Sequence, residues 1–111
     1  MKLRDLNAQL IWKLSDRGSY WTDCSDITQA QGIVFLCPKC FIANSGPIGT
    51  HSVICWFKNR GVPDGMHPKP GRWNPSGTGL DDLTFVPPGA VSVLLTGGCG
   101  WHGFVTKGDA S

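Results

Sequence analysis

The chain has 111 residues, 41% of them hydrophobic, and a formal charge of +2, which is enough for one domain and too little for two. So thin a charge gives no bulk attraction to nucleic acid or to an acidic membrane surface, and no apolar run approaches the roughly 20 residues of a membrane span. All 8 acidic residues are aspartate, and 15 glycines and 8 prolines interrupt the chain, which argues against a helical fold and for short strands.

Leu3, Leu6, Leu10 and Leu14 fit a helical face, whereas Leu10, Trp12 and Leu14 alternate with polar residues as a half-buried strand does. We therefore expect a short helical turn and then a strand from Ala8 to Leu14. Asp16-Arg17-Gly18-Ser19 carries turn chemistry ahead of Tyr20-Trp21-Thr22, which predicts a hairpin, and Ser25-Asp26 is placed to cap one short helix through Ala30.

Gly32 to Leu36 reads as a strand buried on both faces, because Ile33-Val34-Phe35-Leu36 has no polar alternation. It delivers Cys37 to a turn. His51 to Phe57 alternates, with Val53, Cys55 and Phe57 on one face. Residues 58–79 form a long connection rich in proline and glycine, and ordered loops of that length are functional or tied down. Leu83-Thr84-Phe85-Val86, a Pro87-Pro88-Gly89-Ala90 turn and Val91 to Thr96 together predict a hairpin. Gly97-Gly98 then leads to a second turn, and Phe104-Val105-Thr106 makes a last short strand.

The chemistry concentrates at Cys37-Pro38-Lys39-Cys40 and Cys99-Gly100-Trp101-His102, two pairs of soft ligands at matched spacing, each following an apolar run. Together they predict a Cys3His zinc site of Cys37, Cys40, Cys99 and His102. The two halves lie too far apart in sequence for a finger loop and must meet through the fold. Gly98 and Gly100 permit the positive backbone angles that such a turn uses. Cys55 is a rival ligand but sits mid-strand, and Cys24, between Asp23 and Ser25, has no partner in its own segment.

A disulfide framework fits less well. The amino-terminal Met1-Lys2-Leu3-Arg4 is followed by no signal-peptide core, the chain reads as cytosolic, and 5 cysteines cannot all pair. A thioredoxin-like role for Cys37 and Cys40 lacks the long helix that lowers the first thiol's pKa, since the residues up to Pro47 supply at most two turns. With no glutamate, neither the zinc-protease nor the deaminase signature is present, and a hydrolase would have to use His51 with Asp81 or Asp82. His67 reads as a loop residue.

Lys58, Arg60, Lys69 and Arg72 are interleaved with Trp56, Phe57 and Trp73, a pattern that suits single-stranded nucleic acid through charge and stacking. Four cations are few for that task. Arg72-Trp73 pairs two residue types enriched at protein-binding hot spots, and the same tryptophan is equally suited to closing the core.

Segments 33–40, 49–57, 71–74, 77–85 and 98–104 resemble a family of small uncharacterised phage and prophage proteins, over about residues 30–110. The resemblance implies a phage-encoded protein working in a bacterial cytoplasm, with Cys37, Cys40, Cys99 and His102 as the shared ligand set. It assigns no activity. The expectation is therefore one zinc-stabilised domain over residues 1–111. It is mostly β, a small antiparallel sandwich or curled sheet with one short helix, closed by a structural Zn2+. The expected function is a non-enzymatic accessory factor that binds a host or phage protein through the 58–79 loop. Nucleic-acid binding and zinc-dependent hydrolysis are the alternatives.

Overall fold

In the computed structural model, residues 1–12, 22–69, 71–95 and 98–111 are described, 22 and 23 by backbone alone. The expected turn at Asp16–Ser19, together with Tyr20 and Trp21, lies outside them. Leu3–Leu6 forms a single 3-10 turn whose two leucines are fully buried, and Asn7 ends it in the left-handed conformation that asparagine tolerates. The alternating stretch then becomes a strand, β1 (Gln9–Trp12).

The main sheet has four antiparallel strands in the order β2-β1-β3-β4, with β2 at Thr22–Cys24, β3 at Gly32–Leu36 and β4 at Ser52–Trp56. β3 is central, as its unbroken apolar run requires. Val53, Cys55 and Phe57 are all buried, which fulfils the alternation read in the sequence. Trp56, on the opposite face of β4, is buried too, because the following loop folds over it and its indole N–H donates to the His67 carbonyl at 2.9 Å.

The one α-helix among the described residues is α1 (Pro38–Asn44), not the expected helix near residues 26–30. Asp26 does supply capping chemistry, accepting from the Thr28 amide at 2.9 Å and from its hydroxyl at 2.7 Å. The chain leaves after one turn because Gly32 must enter β3. Helix α1 starts instead at Pro38, where a fixed φ and a missing N–H suit the first helical position, and Ser45 ends it at φ 55°.

The remaining strands form two-stranded pairs: β5 (Asn74–Ser76) with β6 (Thr84–Val86), β7 (Val93–Leu94) with β8 (His102–Gly103), and β9 (Val105–Thr106) with β10 (Asp109–Ala110). The expected hairpin between 83–86 and 91–96 does not form. Its first arm pairs back with β5 in the register Asn74↔Val86 and Ser76↔Thr84, and its second pairs forward with β8. Pro87 and Pro88 contribute no amide to a ladder, so the segment between the arms separates two pairs instead of closing one. The fold is mostly β, built of small antiparallel sheets around a core of Leu3, Leu6, Ile33, Phe35, Phe57, Leu83, Phe85 and Val105. No helix among the described residues is long and apolar enough to cross a membrane.

Candidate metal centre

Three chain segments converge at one end of the β3–β4 pair. The register Leu36↔Ser52 carries one step further, and the Cys37 amide donates to the His51 carbonyl at 2.9 Å. Cys37 is fully buried and sits at the N-cap of α1, so the first helical turn returns Cys40 to the same side. Cys99 arrives from the loop between β7 and β8. Gly98 at φ 59° and Gly100 at φ 67° allow that loop to turn tightly about the cysteine, and the Lys39 ammonium holds it by donating to the Cys99 carbonyl at 2.9 Å.

One donor atom from each of Cys37, Cys40, His51 and Cys99 lies within 4.8 Å of all the others. The Cys37 and Cys99 sulfurs are 3.5 Å apart, and His51 Nε2 is 3.4 Å from the Cys99 sulfur. A tetrahedral ion bound at about 2.3 Å by sulfur and about 2.0 Å by nitrogen sets edges of roughly 3.8 and 3.5 Å. The donor set and its spacing therefore fit a metal ion, and all five cysteines are free thiols. His51 Nδ1 lies 3.3 Å from the Ser52 carbonyl, a contact that turns Nε2 toward the cluster when Nδ1 carries the proton.

The thiols do not titrate alike. The contact with His51, then the Trp101 amide and the two neighbouring thiols, pull Cys99 down to about 6. Sharing its proton with Cys99, with desolvation and Cys37 acting in the same direction, pushes Cys40 up to about 11. Such a cluster holds a thiolate ready for a cation and keeps a second proton that a cation must displace.

His102, expected as the fourth ligand, is not in this cluster. A second ligand three residues after Cys99 requires the chain to keep turning, but it straightens at Trp101 into β8, where His102 pairs with Leu94 and is exposed beside Phe104. Trp101 turns inward instead and meets Phe35 edge-on at 6.0 Å. His51 takes the place expected of His102. The signal was available: if Gly32–Leu36 and Ser52–Trp56 are antiparallel neighbours paired end to end, the residue after the first, Cys37, faces the residue before the second, His51.

Cys55 is a core residue whose burial pushes its thiol up, and the Cys24 thiol donates to the Asp26 carbonyl at 3.2 Å, away from the cluster. Asp81 pairs with Arg4, while Asp82 accepts from the Thr78 and Gly79 amides, both at 2.9 Å. Neither aspartate belongs to the cluster.

Of the residues assigned to partner binding, three are committed internally. Arg60 donates to the carbonyls of Ile27, Thr28 and Ala30, and Arg72 to those of Pro63, Met66, Pro68 and Gly71. Trp73 stacks on Phe85 at 5.6 Å and donates to the Ser92 carbonyl at 3.2 Å. Lys58 and Lys69 are exposed. The loop is thus tied down by its own arginines, whose planar guanidinium serves several carbonyls at once. Comparison with protein-family models, with curated proteins and with solved structures returns no match for this chain.

Proposed function

We propose that this chain is a non-enzymatic binding protein stabilised by a structural zinc ion, an accessory factor that engages a host or phage protein; the resemblance to small phage and prophage proteins supports the phage setting alone. The single observation that carries the reading is the convergence of Cys37, Cys40, His51 and Cys99 from three separate segments at tetrahedral spacing. Three thiolates and one imidazole are a donor set that favours zinc over hard cations. Four protein donors complete a tetrahedron, so no position is left for the water that a hydrolase must activate. His51, the base such a hydrolase would use, is itself a donor.

The work of the ion is mechanical. It ties the start of α1 and the entry to β4 to the β7–β8 loop, joining segments that a chain this small has little core to hold. A protein partner is favoured over nucleic acid because Arg60 and Arg72 are spent on backbone carbonyls, which halves the set of cations proposed for phosphate. Cobalt substitution monitored by visible absorption tests the closed site. The expected spectrum is that of a four-coordinate thiolate-rich centre, unchanged by added azide, whereas a spectrum that shifts with azide would reveal an open position and overturn the structural assignment.

A further inference from the structure

A cavity of about 630 Å³ opens beside the metal centre, a size that accommodates a peptide segment or small ligand. Its walls include Ser52 and Ile54 of β4, Leu94 of β7 and Trp73, with His51 and Gly98 at the end nearest the cysteine cluster. Among the described residues both strands keep open backbone groups there, although the outer edge of β4 is already taken at Trp56, whose carbonyl accepts from the Trp73 amide at 3.0 Å. β4 is the last strand of its sheet, and bonding alternates along an antiparallel pair, so the bonds joining Cys37 to His51 and Phe57 to Gln31 commit the odd-numbered residues of β4 to β3. The backbone amides of Ser52 and Ile54 and the Ile54 carbonyl point the other way.

The same alternation applies to β7. The Leu95 amide donates to the Trp101 carbonyl at 2.9 Å, so the amide and carbonyl of Leu94, whose side chain is 58% exposed, face away from β8. Open backbone groups on two strands lining one apolar cavity, at Ser52–Ile54 and at Leu94, are a template for an added strand.

We infer that this slot takes an extended peptide segment of a partner protein, added as a strand against β4 and β7, with apolar side chains toward Trp73 and a carboxylate toward Lys69. Charge selects the acidic end. Lys69 is exposed on the cavity wall, and none of the described residues that line the cavity is acidic. A basic segment would meet Lys69 with no carboxylate to offset it. The inference rests on the reading of the chain as a binding protein and adds to it the site and the class of ligand. It also gives the metal a second task, because the ion holds the β7–β8 loop and the entry to β4 at the same end of the slot.

The test uses metal-loaded, full-length protein and two pools of synthetic seven-residue peptides with capped ends. Each alternates serine with a position randomised among valine, isoleucine, leucine and phenylalanine; one pool ends in aspartate and the other in lysine. Amide exchange of Ser52, Ile54 and Leu94 is followed by NMR. The aspartate pool should slow exchange at all three, and the lysine pool should bind at least tenfold more weakly. N-methylation of alternate peptide amides should cost at least tenfold, and Lys69→Glu, an exposed substitution, should reverse the preference between pools. The inference fails if neither pool protects these amides or if N-methylated peptides bind as well as their parents. It fails equally if the amides are already protected without peptide in a sedimenting dimer, since a second copy would then fill the slot. Zinc content of the same sample separates the two levels: one ion per chain with no peptide effect removes the slot alone, whereas no ion removes the zinc-stabilised reading.

Discussion

Cys37 and His51 face each other across the end of the β3–β4 pair, joined by a backbone hydrogen bond of 2.9 Å, so the strand register brings a thiol and an imidazole together before any ion arrives. Cys99 then needs only one loop to reach them. The strands rank before the metal in this arrangement: β3 and β4 are held by their ladder and their buried side chains, and an ion held by the cluster would fix Cys99 onto them.

Cys99→Ser should therefore release the metal and lower the melting temperature sharply, because the binding free energy of a structural zinc is part of the folding free energy. Cys55→Ala is the matched control, since Cys55 is fully buried in the core and outside the cluster. Its cost should be only about 1–2 kcal/mol of packing, read by urea unfolding, with metal content unchanged.

Trp73→Ala should unfold before it does anything else. The indole stacks on Phe85 and spans to the Ser92 carbonyl, so truncation opens the core over β6 and leaves that carbonyl without its donor. A loss of about 3 kcal/mol is expected, at the low end for a tryptophan because this one is only half-buried. A melting temperature equal to that of the parent would return Trp73 to the role of an exposed anchor.

Cys40 supplies a prediction about protons. With its thiol at about 11, it is protonated at pH 8, and a bound metal requires the thiolate. Metal binding at that pH should release at least one proton per chain, seen as a dependence of the calorimetric enthalpy on the ionisation enthalpy of the buffer. No such dependence would remove Cys40 from the ligand set.

Asp82 sets an acid limit on one turn. The amide of Thr78, the Gly79 amide and the Thr78 hydroxyl hold its carboxyl below the ordinary carboxylate range. A depressed folded pKa means that the stabilisation is complete above the unfolded value of about 4 and is lost as pH falls through the folded one. Acid unfolding of Asp82→Asn should show a weaker dependence on pH below about 4 than the parent does; an identical dependence would contradict the role of this carboxylate.

Much of the strand framework was legible because burial on one or two faces imprints itself on sequence: Gly32–Leu36 has the bounds expected, and Val53, Cys55 and Phe57 point inward as their alternation requires. Pairing was less legible. Alternation says which side of a strand is buried but not which neighbour it finds, so Thr84–Val86 and Val93–Leu94 were each given the wrong partner. The 106–109 hairpin was missed because Lys107 adopts φ 49° where asparagine would be the usual signal, with Gly108 at φ 76° beside it.

The same limit explains the make-up of the cluster. Spacing within one segment placed Cys37 and Cys40 together in the cluster, where a helical turn returns the chain, but did not place His102 there beside Cys99, because the chain runs extended after it. His51 is contributed by a pairing between strands, which spacing along the chain does not encode.

The central claim is that His51, and not His102, completes the ligand set, and metal stoichiometry of the two single variants tests it most directly. Protein purified without added metal should carry one zinc per chain. His51→Ala should lose it, or hold it so weakly that a chelator strips it at once, whereas His102→Ala should keep it and resist the chelator as the parent does. Retention in His51→Ala together with loss in His102→Ala would contradict the account.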